Sequence, residues 1–136
     1  YATPQLERKL ALYKEAGMAC YFGGTLFEIF LVRGALDDYR RLLDRFGLTT
    51  VEVSDGSMDM PREAKLSHIR ALAPHYTVLS EVGSKDASKV LPAKLWAEYI
   101  AAELAAGSRW VITESREGGN VGVYRSTGEV RDGLIE

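Results

Sequence analysis

The sequence predicts an α/β fold built on a parallel sheet, and the main observation is a type of segment that occurs three times. Each copy is an apolar run that ends abruptly in acidic residues, at 51–57, 78–85 and 111–116. The copies recur at intervals of about 30 residues, with apolar residues at helical spacing between them. Because parallel strands bring their carboxyl ends to one edge of a sheet, where α/β folds place their chemistry, the acids should gather there. The pattern therefore favours an enzyme.

The composition is that of one ordinary globular domain covering residues 1–136. Of these residues 46% are hydrophobic and 26% are charged, and no linker or low-complexity stretch divides the chain. The formal net charge of −2 gives no electrostatic reason to expect nucleic acid or an anionic membrane as a partner. The sequence has a single cysteine, no apolar run of about 18 residues and no signal-peptide layout at its start. We therefore expect a cytoplasmic protein.

Local start and stop residues mark the helices in order along the chain. Prolines suit the first turns of three predicted helices, and glycines suit the ends of three. Short apolar runs between the helices predict the strands, and in the last helix we expect Leu104 to face inward. The predicted elements are helices over 4–16, 25–32, 36–46, 61–73 and 92–106 and strands over 18–22, 50–54, 76–81 and 110–114.

This order predicts four parallel strands, adjacent in chain order and joined by right-handed crossovers, as in a barrel or a doubly wound sheet. A (β/α)8 barrel normally needs about 250 residues, so four strands correspond to about half a barrel. A four-stranded parallel segment would leave two unpaired edges, which natural proteins avoid or cover. We therefore expect either part of a longer chain or a chain that pairs with another copy as a homo-oligomer.

Four acidic residues near the strand ends are the candidate metal ligands. Glu52 lies between two valines, so alternation along the strand should point it into the lumen if the valines face the helices. Asp55, Glu81 and Glu114 lie at or just past strand ends, where their oxygens could converge on Mg²⁺. Zinc is disfavoured because the cysteine and the two histidines are scattered along the sequence. The alternative is that some of these acids pair with basic neighbours in a structural network.

Two basic residues and two glycine segments should share the same rim. Lys85 and Arg116 follow strand ends by a few residues, and together they suit an anionic substrate. Arginine can grip a carboxylate or phosphate with its planar fork, while a lysine can also donate a proton. The glycine-containing segments 23–25 and 118–122 could present main-chain N–H groups to phosphate oxygens. The alternative is that these glycines only form turns, since neither segment matches a nucleotide-binding motif.

Five segments, taken in order, closely resemble the phosphosulfolactate synthase family. They are Gly-Gly-Thr-Leu-Phe-Glu at 23–28, Val-Glu-Val-Ser-Asp-Gly-Ser-Met-Asp-Met-Pro at 51–61, Ser-Glu-Val-Gly-Ser-Lys-Asp at 80–86, Thr-Glu-Ser-Arg-Glu-Gly-Gly-Asn-Val-Gly-Val-Tyr at 113–124 and Gly-Glu-Val-Arg at 128–131. The resemblance spans nearly the whole chain. It implies a (β/α)8 barrel of the TIM type, of which this chain covers the middle, from about the second helix to just past the sixth strand. It also implies Mg²⁺-dependent addition of sulfite to phosphoenolpyruvate, giving (2R)-phospho-3-sulfolactate, a step toward coenzyme M or other sulfonates.

The resemblance also implies roles for particular residues. Mg²⁺ would be held by some of the four acids, while Lys85 would supply a proton and Arg116 would hold an anionic group of phosphoenolpyruvate or sulfite. The residues expected to bind substrate are Gly23, Gly24, Thr25, Ser54 and Gly83. The residues expected to bind metal are Glu52, Asp55, Glu81 and Glu114.

The sequence departs from the family pattern in two ways. The family usually has two basic residues after Glu-Val-Gly, whereas this chain has Ser84 before Lys85. The family's first strand, with its Asp-Lys-Gly motif, and its last two strands are missing from this sequence. Two alternatives stay open: a non-catalytic, stress-associated relative of the synthase, or a Mg²⁺-dependent lyase that acts on another small phosphorylated acid. Retention of the four acids, Lys85 and Arg116 argues against loss of catalysis.

Overall fold

The computed structural model describes residues 3–85, 91–114, 122–125 and 127–132. Within these ranges, three strands form one parallel sheet in the order in which they occur along the chain. The part of the chain described contains no helix long and apolar enough to cross a membrane. The elements are α1 (Pro4–Glu15), α2 (Gly24–Val32), α3 (Leu36–Phe46), β1 (Thr50–Val53), α4 (Arg62–Leu72), β2 (Thr77–Val82), α5 (Ala93–Ala106) and β3 (Trp110–Thr113).

The helix ends lie where local residues predict them. α1 begins after Thr3, whose hydroxyl accepts a hydrogen bond of 3.2 Å from the N–H of Leu6, and Pro4 is the first helical residue. Gly47 after α3 and Gly107 after α5 have φ values of 61° and 117°, in the left-handed region that favours glycine. These helix predictions are confirmed.

The predicted first strand, over residues 18–22, is wrong. The segment takes no strand conformation, and among the main-chain hydrogen bonds of the described residues none joins it to β1. From residue 19 onward its side chains still alternate, because Cys20 and Phe22 pack on the core while Ala19 and Tyr21 are exposed. The alternation therefore reflects packing of one face of the segment rather than pairing in a sheet, and the described sheet has three strands, not four.

The core lies between the helices and one face of the sheet. Val51 and Val53 of β1 are fully buried there, together with Phe27 of α2, Leu43 of α3 and Ile69 of α4. Because successive side chains of a strand point to opposite faces, the residue between the two valines faces away from these helices. The sheet thus has a helix-covered face and a second face that carries acidic side chains.

α5 buries a residue other than the one that its sequence suggests. Leu104 is 47% exposed, so the prediction that it faces inward is wrong, while its neighbour Glu103 is completely buried. The Glu103 carboxylate lies 2.5 Å from Arg62 and 3.0 Å from Lys65, both on α4. A buried carboxylate needs such partners, and the two cations of α4 therefore set which side of α5 faces inward.

Candidate active site

The strand register places three acids on one face of the sheet. Glu52 pairs with Leu79, and Glu81 lies two residues further along β2 on the same face. Glu81 in turn pairs with Ile112, and Glu114 lies two residues beyond Ile112, just past the end of β3. Alternation therefore puts Glu52, Glu81 and Glu114 opposite the helix-covered face, at the carboxyl end of the sheet. This is the direction predicted for Glu52.

Glu81 and Glu114 form a close pair of buried acids. The side chain of Glu81 is 12% exposed and Glu114 is 3% exposed. Within the described part of the chain, Glu81 Oε1 and Glu114 Oε2 are buried without a hydrogen-bond partner. Burial raises the pKa of Glu81 to about 8, assisted by the negative charge of Glu114 and by the hydrogen bond that a shared proton makes to it. Near neutral pH the pair therefore either holds a proton or requires a cation.

Glu52 belongs to the same electrostatic cluster. It is 7% exposed, and its Oε1 accepts a hydrogen bond of 2.8 Å from the main-chain N–H of Gly24. Burial raises its pKa, the Gly24 N–H and Lys85 lower it, and the charges of Glu114 and Glu28 raise it. Burial, with a smaller effect from the neighbouring acids, thus raises the pKa of Glu52 and disfavours its charged form despite the hydrogen bond.

Lys85 lies between the start of α2 and the acid pair. Its Nζ donates a hydrogen bond of 3.2 Å to Thr25 Oγ1 and lies 3.8 Å from Glu81 Oε1. Its main-chain N–H also donates to the carbonyl of Gly56 at 3.1 Å. The lysine predicted to supply a proton is therefore on the same rim as the acids, and its ammonium group is held at one side by Thr25.

The predicted substrate-binding residues near α2 differ in their surroundings. A Cβ atom at Gly24 would overlap Ser54 Oγ and lie 2.5 Å from Glu52 Oε1, so only glycine fits against these two side chains. The N–H of Gly24 is already bonded to Glu52. Gly23 is exposed, and a Cβ there would meet nothing within 4 Å. The structure therefore brings Gly24 and Ser54 against the acids and leaves Gly23 at the surface.

Two further glycines let the acid pair approach the main chain. A Cβ at Gly56 would lie 2.9 Å from Glu81 Oε1 and 3.4 Å from Glu114 Oε2. Gly83, a predicted substrate-binding residue, has a φ of 126°, and a Cβ there would lie 2.5 Å from Glu114 Cβ. A larger residue at either position would force Glu81 or Glu114 to shift.

Two buried charged residues contact the site but do not feature in the sequence prediction. Glu28 of α2 accepts a hydrogen bond from the Ser54 hydroxyl, and Lys65 of α4 donates to Asp55 and to the main-chain carbonyl of Glu81. An acid in the middle of the otherwise apolar segment Leu-Phe-Glu-Ile-Phe is a signal that could have found Glu28. Lys65 lies in a helix with several charged residues, and the sequence gives no comparable signal for it.

The other predicted residues stand apart from the acid pair. Asp55 Oδ1 lies 2.6 Å from Lys65 Nζ, so its carboxylate already has a cationic partner. Arg116 and most of the segment 118–122 lie outside the described residues. The part of the site that the structure describes is therefore made of Glu52, Glu81, Glu114 and Lys85, with Asp55 held beside them.

The carboxylate oxygens of the site suit Mg²⁺ better than a metal whose ligands must all come from the protein. In the described ranges, no three His, Cys, Asp or Glu side chains are arranged to hold a metal by themselves. Mg²⁺ is usually bound by one or two carboxylates, with water and substrate oxygens completing its shell. The unpartnered oxygens of Glu81 and Glu114 are such a pair. The residues present therefore fit Mg²⁺.

Two cavities lie at opposite ends of the sheet. One of about 250 Å³ is at the carboxyl end and is lined in part by Asp55, Gly83 and Ser84. A larger one of about 510 Å³ lies next to the amino ends of β1 and β2, lined in part by Arg40 and Tyr76. In folds of this kind the carboxyl end carries the chemistry and the amino end contributes to stability. The smaller cavity therefore lies at the end of the sheet that carries the acids, although its lining includes Asp55 and not Glu81, Glu114 or Lys85.

Comparison with known proteins places the chain in a family. Residues 1–136 match the model of the family described as (2R)-phospho-3-sulfolactate synthase (ComA). The chain is 37% identical over 136 residues to a phosphosulfolactate synthase of Bacillus subtilis (strain 168), which covers 98% of this chain and 54% of that protein. It is 35% identical over 135 residues to the protein of that name in Methanocaldococcus jannaschii (96% of this chain, 54% of the relative). A third relative of that name, in Methanothermobacter thermautotrophicus, is 33% identical over 131 residues (93% and 51%).

The chain thus spans about half the length of these curated relatives. The match extends over the whole chain and includes the strand ends that carry the acids. This chain belongs to the phosphosulfolactate synthase family.

Proposed function

We propose that this chain forms part of a phosphosulfolactate synthase, a cytoplasmic, Mg²⁺-dependent lyase that joins sulfite to phosphoenolpyruvate. The observation that carries the proposal is the acid pair Glu81 and Glu114, buried next to Lys85 at the carboxyl ends of parallel strands, with one oxygen of each lacking a hydrogen-bond partner among the described residues. The fold would be a (β/α)8 barrel, which is supported by three parallel strands in chain order with helices on one face and acids on the other.

The bond-forming step determines where positive charge is needed. Sulfite would attack the methylene carbon of phosphoenolpyruvate through sulfur, forming a carbon–sulfur bond as the carbon–carbon double bond breaks. The released electron pair moves toward the adjacent carbon and the substrate carboxylate, giving an enediolate. Cationic groups placed at these oxygens would lower the barrier. When bound by Glu81 and Glu114, Mg²⁺ would supply such a positive charge.

Lys85 is the proposed acid of the second half of the reaction. After sulfite has added, the carbon that carries the phosphate group must receive a proton to give the sulfolactate product. The Lys85 ammonium group has three N–H donors, and its hydrogen bond to Thr25 leaves two for other partners. Anchored in this way, the group could hold an anionic substrate and then deliver the proton.

The direct test is sulfite-dependent consumption of phosphoenolpyruvate by the full-length protein in the presence of Mg²⁺. The product should carry both phosphate and sulfonate groups by mass spectrometry. Lys85→Met should lower kcat by about 10² to 10⁴, the usual contribution of a general acid. Lys94→Met is the matched control, since Lys94 is 87% exposed on α5 and should leave kcat unchanged. Loss of phosphoenolpyruvate without sulfite would instead indicate a lyase with another substrate.

A further inference from the structure

Lys65 is a buried lysine with a complete set of hydrogen-bond acceptors. Its side chain is 1% exposed, and its Nζ lies 2.6 Å from Asp55 Oδ1 and 3.0 Å from Glu103 Oε1. The same Nζ donates to the main-chain carbonyl of Glu81. An ammonium group has three donors and no acceptor, so these three contacts use it fully. A satisfied polar group in dry surroundings fixes the positions of its partners.

The charges around Lys65 balance without the acid pair. Asp55 and Glu103 contribute two negative charges, while Lys65 and Arg62, which lies 2.5 Å from Glu103, contribute two positive ones. Such pairing is what makes a buried ammonium group tolerable. Asp55 is therefore neutralised within this network. A cation that enters the site would therefore be bound by the acid pair, which does not belong to this network.

The hydrogen bond from Lys65 to the Glu81 carbonyl takes the place of a hydrogen bond from β1, which ends before it reaches Glu81. β1 ends at Val53, which pairs with Ser80, so the residue after Ser80 has no partner on the β1 side. The carbonyl of Val82 accepts a hydrogen bond from the N–H of Glu114, on the β3 side. Because successive carbonyls of a strand point in opposite directions, the carbonyl of Glu81 faces the β1 side. Lys65 occupies that position and caps the end of β2.

We propose that Lys65 is a positioning residue of the candidate site. Its ammonium group fixes the peptide that follows Glu81, and so sets the direction in which the Glu81 side chain meets Glu114. It also holds Asp55 as its own counter-ion, so that Asp55 supports the site without binding the metal. This inference rests on the proposed function only in taking Glu81 to act there.

Arg62→Met is a matched control for Lys65→Met. Both variants remove a cation that pairs with Glu103, but Arg62 otherwise bonds to the carbonyl of Tyr99, and no hydrogen bond or ion pair among the described residues joins it to Asp55 or Glu81. In the full-length protein, Lys65→Met should weaken Mg²⁺ binding, measured by calorimetry, by about 10- to 100-fold, the usual loss when a group behind a ligand is removed. Arg62→Met should lower stability but keep Mg²⁺ affinity within about twofold. Lys65→Arg should restore part of the affinity.

A second measurement separates this proposal from the proposed function. The carbonyl ¹³C chemical shift of Glu81 reports its hydrogen bond whether or not the protein binds Mg²⁺ or turns over substrate. The Glu81 carbonyl shift should move upfield in Lys65→Met, because the hydrogen bond is lost, and stay unchanged in Arg62→Met. If the wild-type protein neither binds Mg²⁺ nor consumes phosphoenolpyruvate, the proposed function fails, and this shift alone decides the role of Lys65.

A double variant that removes both Lys65 and Glu103 keeps the test possible if the single variant does not fold. If Lys65→Met does not fold, Lys65→Met/Glu103→Met replaces it, since well-packed apolar residues often substitute for a buried ion pair. Arg62→Met/Glu103→Met is then the control. Equal losses of Mg²⁺ affinity in the two double variants, or an unmoved Glu81 carbonyl shift in the variant lacking Lys65, would overturn the proposal.

Discussion

Glu81 and Glu114 meet on the face of the sheet opposite the core helices, and one buried carboxylate oxygen of each lacks a hydrogen-bond donor among the described residues. Two like charges in contact and away from water oppose folding unless a proton or a cation joins them. Lys85, 3.8 Å from Glu81, is too distant to donate a hydrogen bond to it. Such an arrangement is typical of a binding site rather than of a structural ion pair.

The stability of the metal-free protein should fall as the pH rises toward 8. The pKa of Glu81 in the folded protein is about 8, above its ordinary value of 4.5, so the folded state keeps this proton to higher pH than the unfolded state does. The contribution of the protonated group is therefore complete below about pH 4.5 and is lost as the pH rises through 8. Urea unfolding of the full-length protein in the presence of a chelator, at several pH values, measures this.

Glu81→Gln serves as the reference for that experiment. Glutamine cannot titrate, so the free energy of unfolding of the variant should lack the decrease that Glu81 causes. The wild-type protein should therefore lose stability relative to Glu81→Gln as the pH rises. A constant difference in the free energy of unfolding between the two proteins from about pH 5 to 8 would show that Glu81 titrates normally.

Mg²⁺ affinity should depend on Glu81 and Glu114 and not on an exposed acid outside the site. Glu81→Gln and Glu114→Gln should each weaken Mg²⁺ binding by at least about tenfold, the loss seen even for groups behind a ligand. Glu98→Gln is the control because Glu98 lies on the exposed side of α5, next to Lys94. Calorimetry that gives the wild-type affinity for both pair variants would contradict the proposed metal site.

The start of α2 should tolerate a methyl group at one glycine and not at its neighbour. Gly24→Ala places a carbon against Ser54 and Glu52 and should cost about 1 to 3 kcal/mol of stability by overpacking. Gly23→Ala meets nothing within 4 Å and should change stability by less than about 0.5 kcal/mol. Thermal and urea unfolding of both variants check this, and equal losses would show that backbone freedom matters more here than packing.

Features that depend on nearby residues could be predicted from the sequence. Thr3 and Gly47 mark helix ends because a cap is made within one turn of the chain. The meeting of Glu81 and Glu114 could also be predicted, since parallel strands bring their carboxyl ends to the same edge. In these cases a short pattern and a general rule of sheet geometry contain the necessary information.

Features that depend on partners distant in sequence could not be predicted. Residues 18–22 have the composition of a strand, but a strand exists only if a neighbour pairs with its backbone. The burial of Glu103 instead of Leu104 follows from the positions of Lys65 and Arg62 on another helix. The sequence suggests neither, because hydrophobic periodicity says nothing about which charges find a partner.

A polypeptide of these 136 residues alone should be inactive and either self-associating or poorly folded. Trp110 at the start of β3 is 58% exposed on the same face as the acids, and β1 has no main-chain bonds to residues 18–22 in the described ranges. Unpaired strand edges and exposed apolar surface favour association with further strands. A site built on only part of the barrel would also leave a bound substrate open to water, where its charge is stabilised much less than in a closed site.

Sedimentation equilibrium and the sulfite-dependent assay would test this expectation. Trp110→Lys should shift the polypeptide toward monomer if the face that carries Trp110 mediates the association, because a charge on an exposed strand opposes pairing. Lys94→Met, far from that face on the exposed side of α5, should leave the association unchanged. A stable monomer that converts phosphoenolpyruvate and sulfite would show that three described strands suffice for the site, and that the closed barrel is not required for the chemistry.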